Sequence, residues 1–285
     1  MNLYNIDPDL NWYVDYEELL NEFFWYLDHK KGELSLICLK NKIIKYFQQD
    51  VYFAVEKELW RSSDDVKQRI IDNRIKYLGK KPEELTTYDI LSGFKKSAMH
   101  YGYSGFNPQL CKWFYEYVTN TTNLKMDNIL CYDPTGGWGH RLLGSTNIGA
   151  YIYNDLSTDI YNNVNNMIEV FDMPDMITYN NDAADFIPNE KFNVMFTCPP
   201  YYNLEHYPCG DFKSMDEYNT LIESLFNVFL NTDCKVFGMV IREDLLVNKH
   251  PELNPTIFPL TKLRSAHLNG STPTKNKELL FIYRK

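Results

Sequence analysis

Two rhythms of apolar residues divide the chain near residue 105. Before it, "DYEELLNEFFWYLDHK" (15–30), "DVYFAVEKELW" (50–60) and "SDDVKQRIIDNRIKYLG" (63–79) repeat apolar positions every three or four residues, which predicts amphipathic helices. Asp15 and Ser63 suit N-caps, and Gly79 suits a helix stop. Beyond it, "NPQLCKWFYEYVTN" predicts one more helix, and short apolar runs then take over. "NILCYD" (128–133), "AYIYN" (150–154), "MITYN" (176–180), "FNVMFT" (192–197) and "CKVFGMVI" (234–241) read as strands. Helical patterns at 157–171 and 214–231 separate most of them, the second opened by a capping box from Ser214 to Glu217. The chain closes on two more strand patterns, "LTKLRSAHL" (260–268) and "KELLFIYRK" (277–285), joined by the turn-rich "NGSTPTK".

Strands alternating with helices predict a parallel sheet covered on both faces. The last junction is too short for a crossover helix, so the last strand should run antiparallel. The expected fold is therefore α/β, a Rossmann-like seven-stranded and mostly parallel sheet with an antiparallel last strand. Residues 1–104 are expected to form a helical N-terminal domain and residues 105–285 the sheet domain. With 285 residues and 44% hydrophobic content, the chain can bury one large core or two modest ones. No apolar stretch approaches the roughly 18 residues of a membrane helix. "MNLYNIDPDL" lacks the basic and apolar pattern of a secretory signal, so a soluble cytoplasmic protein is expected.

Cysteines 38, 111, 131, 198, 209 and 234 form no CxxC pair, which removes zinc-site and redox-motif readings and leaves mostly buried thiols. The net charge of −9 argues against coating nucleic acid by bulk electrostatics. The end of the chain runs the other way, with Lys262, Arg264, Lys275, Lys277, Arg284 and Lys285 against Glu278 alone. Such a cluster suits a basic rim or a solvated tail.

Ligands of open α/β sheets bind outside the carboxyl ends of the strands, near the point where strand order reverses. The first strand ends in "YDPTGGWGHRLLG" (132–144), where Gly136, Gly137 and Gly139 permit tight turning and close approach to a ligand. The amides of a following helix could face that ligand. No Lys-Ser/Thr follows, so this is not a phosphate-binding P-loop. Taken alone, the glycines would equally suit an ordinary tight turn. Asp155 ends the second strand, 22 residues after Asp133, where an acid would grip a ribose diol. By itself it would equally suit a helix N-cap. The third strand leads to Asp182 in "NNDAADF", and the fourth to "TCPPYY" (197–202), where two prolines stop a strand and stiffen the backbone.

In this order, "DPTGGWG", "YND", "NNDAA" and "TCPPYY" resemble the class I S-adenosylmethionine-dependent methyltransferases. More narrowly, they resemble phage- and prophage-type DNA amino-methyltransferases, which modify adenine N6 or cytosine N4. "FTCPPYYNLEHY" (196–207) and "GFNP" (105–108) add to the resemblance, which covers about residues 104–285. It implies that Asp133, Thr135, Gly136, Gly137 and Gly139 wrap the methionine part of S-adenosyl-L-methionine. Asp155 would hold the ribose, Asp182 with Ala183 the adenine, and Phe106, Asn107 and Pro108 would pack near the cofactor. An Asn-Pro helix start also suits a bare cap.

Methyl transfer to a base amine requires acceptors that hold the NH₂ group and aim its lone pair. The resemblance assigns this to Cys198, Pro199, Pro200 and Tyr201, with Tyr201 and Tyr202 contacting a flipped base. Cysteine is a weak acceptor where the family carries Asp, Asn or Ser. Either the Pro199 carbonyl does most of the orienting, or the substrate differs, or Cys198 is a nucleophile as in cytosine-C5 enzymes. That last reading is disfavoured by residue order. Lys275 and Lys277, with Lys95 and Lys96 as further candidates, would contact phosphates of double-stranded DNA. The N-terminal helices would supply target recognition or homodimer contacts. RNA, a nucleotide or a protein amide remain alternative substrates, as does a non-catalytic binding subunit of the same fold.

Overall fold

The computed structural model describes residues 16–29, 31–36, 42–48, 64–85, 106–202, 212–245, 250–260 and 278–285. Seven strands form one sheet: β1 (Leu130–Asp133), β2 (Ala150–Asn154), β3 (Met176–Tyr179), β4 (Val194–Thr197), β5 (Val236–Arg242), β6 (Thr256–Pro259) and β7 (Glu278–Arg284). Their order is β3-β2-β1-β4-β5-β7-β6. β3, β2, β1, β4 and β5 pair in parallel, and β7 runs antiparallel between β5 and β6. This is the sheet expected from the sequence. The strand order reverses between β1 and β4, which marks their carboxyl ends as the natural site.

The period-two alternation of each strand sorts its side chains onto two faces. Cys131, Tyr151, Tyr153, Val194, Phe196, Val236, Leu280 and Ile282 enter one buried cluster, while Tyr132, Ile152, Met195, Phe237, Met239, Phe281 and Tyr283 enter the other. The first face carries α4 (Pro108–Thr121), α5 (His140–Gly144) and α6 (Thr158–Val170), together with α1 (Tyr16–Asp28) and α2 (Lys42–Phe47). The second carries α7 (Met215–Asn231), whose stripe of Tyr218, Leu221, Ile222, Leu225, Phe226 and Phe229 is buried at helical spacing. Burying each of these side chains contributes roughly 1.5–3 kcal/mol. A further helix, α3 (Asp64–Leu78), ends on Gly79 at φ 64°, the left-handed stop expected there.

The N-terminal helices share the sheet's own core. Phe23 of α1 stacks on Phe171 with ring centroids 4.2 Å apart. Lys112 of α4 donates to the carbonyls of Tyr26 and, at 2.7 Å, His29, capping the end of α1. Gln48, just after α2, donates to the Trp138 carbonyl at 3.3 Å and accepts from Asn163 at 3.1 Å. The segment expected as a separate helical domain thus reaches the glycine-rich loop itself.

Two local expectations change. The sixth strand is "TIFP", upstream of the 260–268 pattern, and its closing Pro259 is tolerated because β6 is an edge strand. In the capping box, the Ser214 hydroxyl accepts from the Glu217 amide at 3.2 Å, but the Glu217 carboxylate takes the Lys213 amide at 2.7 Å instead of that of Ser214. The patterns at 50–60 and 261–268, the caps Asp15 and Ser63, Cys38, Cys209, Lys95, Lys96, Lys275 and Lys277 lie outside the described residues.

Candidate functional site

The loop after β1 is organised from beneath by a buried ion pair. Asp133 is 0% exposed, and a carboxylate is tolerated there only if its charge and lone pairs are met. Arg141, in the first turn of α5, donates Nε to it at 2.6 Å and Nη2 at 3.2 Å. Tyr151 donates a further short bond, Thr197 donates at 2.8 Å, and the Thr135 amide donates at 3.3 Å. The carboxylate is therefore committed to the protein's own donors. It shapes the loop, where the resemblance implied contact with the methionine part of a cofactor. Arg141 also binds the Thr135 carbonyl and lies 5.2 Å from the Phe106 ring, tying the start of α4 to the same hub. Sequence reading missed Arg141. A strand-end Asp inside an apolar run needs a buried partner, and an Arg one helical turn past the glycines was the available signal.

The glycine loop lies on the ring of Tyr153, where a β-carbon at Gly136 would collide with the ring, so this glycine answers a protein neighbour. Gly137 differs: its φ is 62°, and a β-carbon there would meet nothing nearer than the Thr135 carbonyl at 3.9 Å. Gly139, at φ 93°, forms the N-cap of α5, a helix of only five residues. The loop before this helix spends its own amides on the protein. The loop amides of Thr135, Gly136 and Gly137 bond Asp133, the Asn154 carbonyl and Asp155 respectively.

Asp155 stands half-buried at the end of β2, one oxygen accepting from the Gly137 amide at 2.8 Å and the other from Ser157 at 2.9 Å. Burial raises its pKa, and those two amides pull it back down. It braces the start of α6 through the Ser157 amide, but it is not the N-cap that the alternative reading expected. Ser157 is the N-cap itself. Fully buried Asn154, beside it, was not singled out from sequence. Its amide donates to the carbonyls of Pro134 at 2.9 Å and Asn181 at 3.0 Å, and accepts from the Asn181 amide at 3.0 Å. One side chain thus fixes the loops after β1, β2 and β3. Asp182 is exposed, with its carboxylate accepting from Ala184 at 2.9 Å, and Ala183 is buried.

At the start of α4, Asn107 caps the helix through the Gln109 amide at 3.1 Å and donates to the Ser35 carbonyl at 3.0 Å, with Pro108 in the first turn. Phe106 packs edge-on to Phe196 at 6.0 Å. The neighbouring Gln109 is 5% exposed, yet among the described residues neither its Nε2 nor its Oε1 has a hydrogen-bond partner. His140 is 6% exposed and its Nε2 is likewise unpartnered. Burial first, and the Arg141 charge second, push its pKa down to about 3. The ring is neutral.

The strand-end run "TCPPYY" is attached directly to this loop. The Thr135 hydroxyl meets the Thr197 hydroxyl at 2.7 Å and donates to the Cys198 carbonyl at 3.2 Å. Cys198 is half-buried, with its thiol 3.8 Å from the Tyr201 hydroxyl. Pro199 is buried and Pro200 half-buried. Tyr201 is only 7% exposed and belongs to the cluster under the second face. It is therefore not the open stacking ring expected of it. Tyr202 is half-exposed, 6.2 Å from Tyr218 between ring centroids. The structure thus gathers Phe106, Asp133, Thr135, Gly136, Gly137, Asp155 and Cys198 into one bonded set at the switch point.

No protein-family profile and no curated protein matches the chain. Solved methyltransferase structures share its outline. The human methyltransferase 10 domain containing protein is 10% identical with a TM-score of 0.41, over 60% of this chain and 80% of that one. An rRNA methylase from Streptococcus thermophilus is 8% identical with a TM-score of 0.40, over 60% and 93%. A dimethyladenosine transferase from Plasmodium falciparum is 13% identical with a TM-score of 0.39, over 60% of each chain. Likeness at this level carries no argument.

Proposed function

We propose that the chain is an S-adenosyl-L-methionine-dependent methyltransferase acting on an exocyclic base amine, adenine N6 or cytosine N4, in DNA. The observation that carries this reading is the Thr135 hydroxyl, which bonds both Thr197 and the Cys198 carbonyl and so holds the Pro-Pro-Tyr run against the glycine-rich loop.

The residues present fit the cofactor. Gly137 leaves open space above the loop, and Asp155 has acceptor capacity left beside its two amide bonds. Gln109 offers an orphaned donor and acceptor together, the complement of an amino acid's carboxylate and ammonium groups. Asp155 would then take the ribose, exposed Asp182 the adenine amine, and Gln109 with Gly137 the methionine end. Bound there, the sulfonium supplies an activated methyl group whose leaving group is a neutral thioether.

The chain's own work is orientation. The Pro199 carbonyl holds the acceptor amine, Cys198 contributes shape with little hydrogen-bonding power, and Tyr202 offers the stacking face. With the amine held by the Pro199 carbonyl, its lone pair would face the methyl group that the cofactor supplies, and the amine proton would pass to solvent.

Nucleoside mass spectrometry of DNA and RNA from cells expressing the protein tests this, beside an Asp155→Ala control. N6-methyladenine or N4-methylcytosine in DNA, absent from the control, is the expected result. A modified nucleoside in RNA alone would move the substrate to RNA. None in either would overturn the reading.

A further inference from the structure

Tyr218 lies in the first turn of α7, fully buried at 0% exposure, and its hydroxyl has no hydrogen-bond partner among the described residues. A buried tyrosine normally satisfies its hydroxyl, because a stranded donor and acceptor loses its water without compensation. Phenylalanine would fill the same space at no such cost, so the lone hydroxyl calls for a function.

Its surroundings place it on the acceptor side of the site. Phe212 meets the Tyr218 ring edge-on at 5.3 Å, and Tyr202 flanks it at 6.2 Å. Tyr201 belongs to the same buried cluster. α7 begins near the carboxyl ends of β4 and β5 and runs back along the second face. Burial raises the Tyr218 pKa, Cys198 and Asp244 raise it further, and Arg242 lowers it, so the groups it senses stand at those two strand ends. Asp133, Asp155 and the glycine loop stand at β1 and β2 instead. An aromatic enclosure holding one unspent polar atom suits a flat, hydrogen-bonding ring, the chemistry of a nucleobase.

We propose that the Tyr218 hydroxyl contacts the acceptor base, supplying the hydrogen bond that the Cys198 thiol makes only weakly. This rests on the methyltransferase reading above. The hydroxyl is covered in this structure, so the contact requires the side chains around it to shift as the base enters.

The test compares wild type with Tyr218→Phe in three measurements. These are calorimetric titration with S-adenosyl-L-methionine, thermal melting, and transfer of labelled methyl to duplex DNA, RNA and free nucleosides. The variant should bind the cofactor as wild type does and melt at the same or a higher temperature. Its kcat/KM for the acceptor should fall about tenfold, the loss expected for one hydrogen bond in a buried site. A variant transferring within twofold of wild type would overturn the inference and leave the methyltransferase reading standing. A variant that melts lower or binds the cofactor more weakly would show a structural role and overturn it too. If wild type itself transfers methyl to none of these acceptors, the reading of the site fails and the inference falls with it.

Discussion

The hydroxyls of Thr135 and Thr197 lie 2.7 Å apart, joining the loop after β1 to the end of β4 across the switch point of the sheet. Thr197 donates on to Asp133 at 2.8 Å, so the single Thr135 proton is shared between the Thr197 hydroxyl and, at 3.2 Å, the Cys198 carbonyl. The two loops that would hold methyl donor and methyl acceptor are thereby one hydrogen-bonded unit. Replacing Thr197 with Val keeps the shape and removes both bonds, leaving buried acceptors unmet. A destabilisation of about 1–3 kcal/mol is expected in chemical denaturation. Acceptor turnover should fall more than cofactor affinity does, because the proline run loses its anchor while Asp155 keeps its own.

Arg141 and Asp133 form the hub beneath that unit, and their geometry is specific to a guanidinium. Arg141→Met strands a buried carboxylate and should cost about 3–5 kcal/mol in denaturant titration. Arg141→Lys should recover only part of the loss, since an ammonium cannot reproduce the paired contacts to Asp133 together with the Thr135 carbonyl. Full recovery with lysine would show that charge alone is needed.

Two adjacent glycines should respond differently to alanine. Gly136→Ala drives a methyl group into the Tyr153 ring and should destabilise the protein by about 1–3 kcal/mol. Gly137→Ala meets no neighbour and faces mainly the left-handed backbone penalty, about 1–2 kcal/mol. Its larger effect should appear in the calorimetric affinity for S-adenosyl-L-methionine, because its β-carbon would occupy the open space over the loop.

His140 and Asp155 make opposite contributions to pH dependence. The folded pKa of His140, about 3, lies below its ordinary value near 6.5, so the folded state binds fewer protons there than the unfolded chain. Its contribution is present above pH ~6.5 and is lost as the pH falls toward 3, with a slope of at most about 1.4 kcal/mol per pH unit. Asp155 is raised in the folded state, chiefly by burial, so it contributes stability when protonated, which is lost as the pH rises through that raised pKa. Denaturation curves of His140→Gln should therefore be flatter between pH 6 and 4. Asp155→Asn should steepen the acid loss at pH values above the ordinary carboxylate range and weaken cofactor binding at pH 7.

DNA contact by the basic end of the chain has its own signature. If Lys275 and Lys277 meet phosphates, alanine at both should reduce the slope of log affinity against log salt by about 1.8, roughly 0.9 per contact. Unchanged slopes would place the duplex elsewhere.

Much of the architecture was legible in the chain. β2 occupies the 150–154 run, α6 and α7 fall within a residue of their predicted spans, and β7 is antiparallel as expected, although β6 ends at Pro259 and the junction is longer than the "NGSTPTK" turn behind that expectation. Period two and period 3.6 are local properties, so they can be read without knowing what lies across the fold. β6 escaped because prolines at 255 and 259 bracket only "TIF", too short a run to outweigh the 260–268 pattern beside it. The strand-end residues Asp133, Asp155 and Cys198 were likewise visible, since topology alone puts successive parallel strand ends together.

What only the tertiary structure decided is what each of those residues touches. Asp133 reads as a ligand-facing acid until Arg141, Tyr151 and Thr197 are seen to consume its oxygens. Tyr201 reads as an open stacking ring until the second face closes over it, and Tyr218 reads as one more apolar stripe position until its hydroxyl is found alone. Sequence determines where strands end and which chemistry stands there, because backbone periodicity and turn residues act over a few positions. Hydrogen-bond satisfaction is settled between residues on different elements, from Asp133 and Arg141, 8 apart, to Thr135 and Thr197, 62 apart, and so belongs to packing.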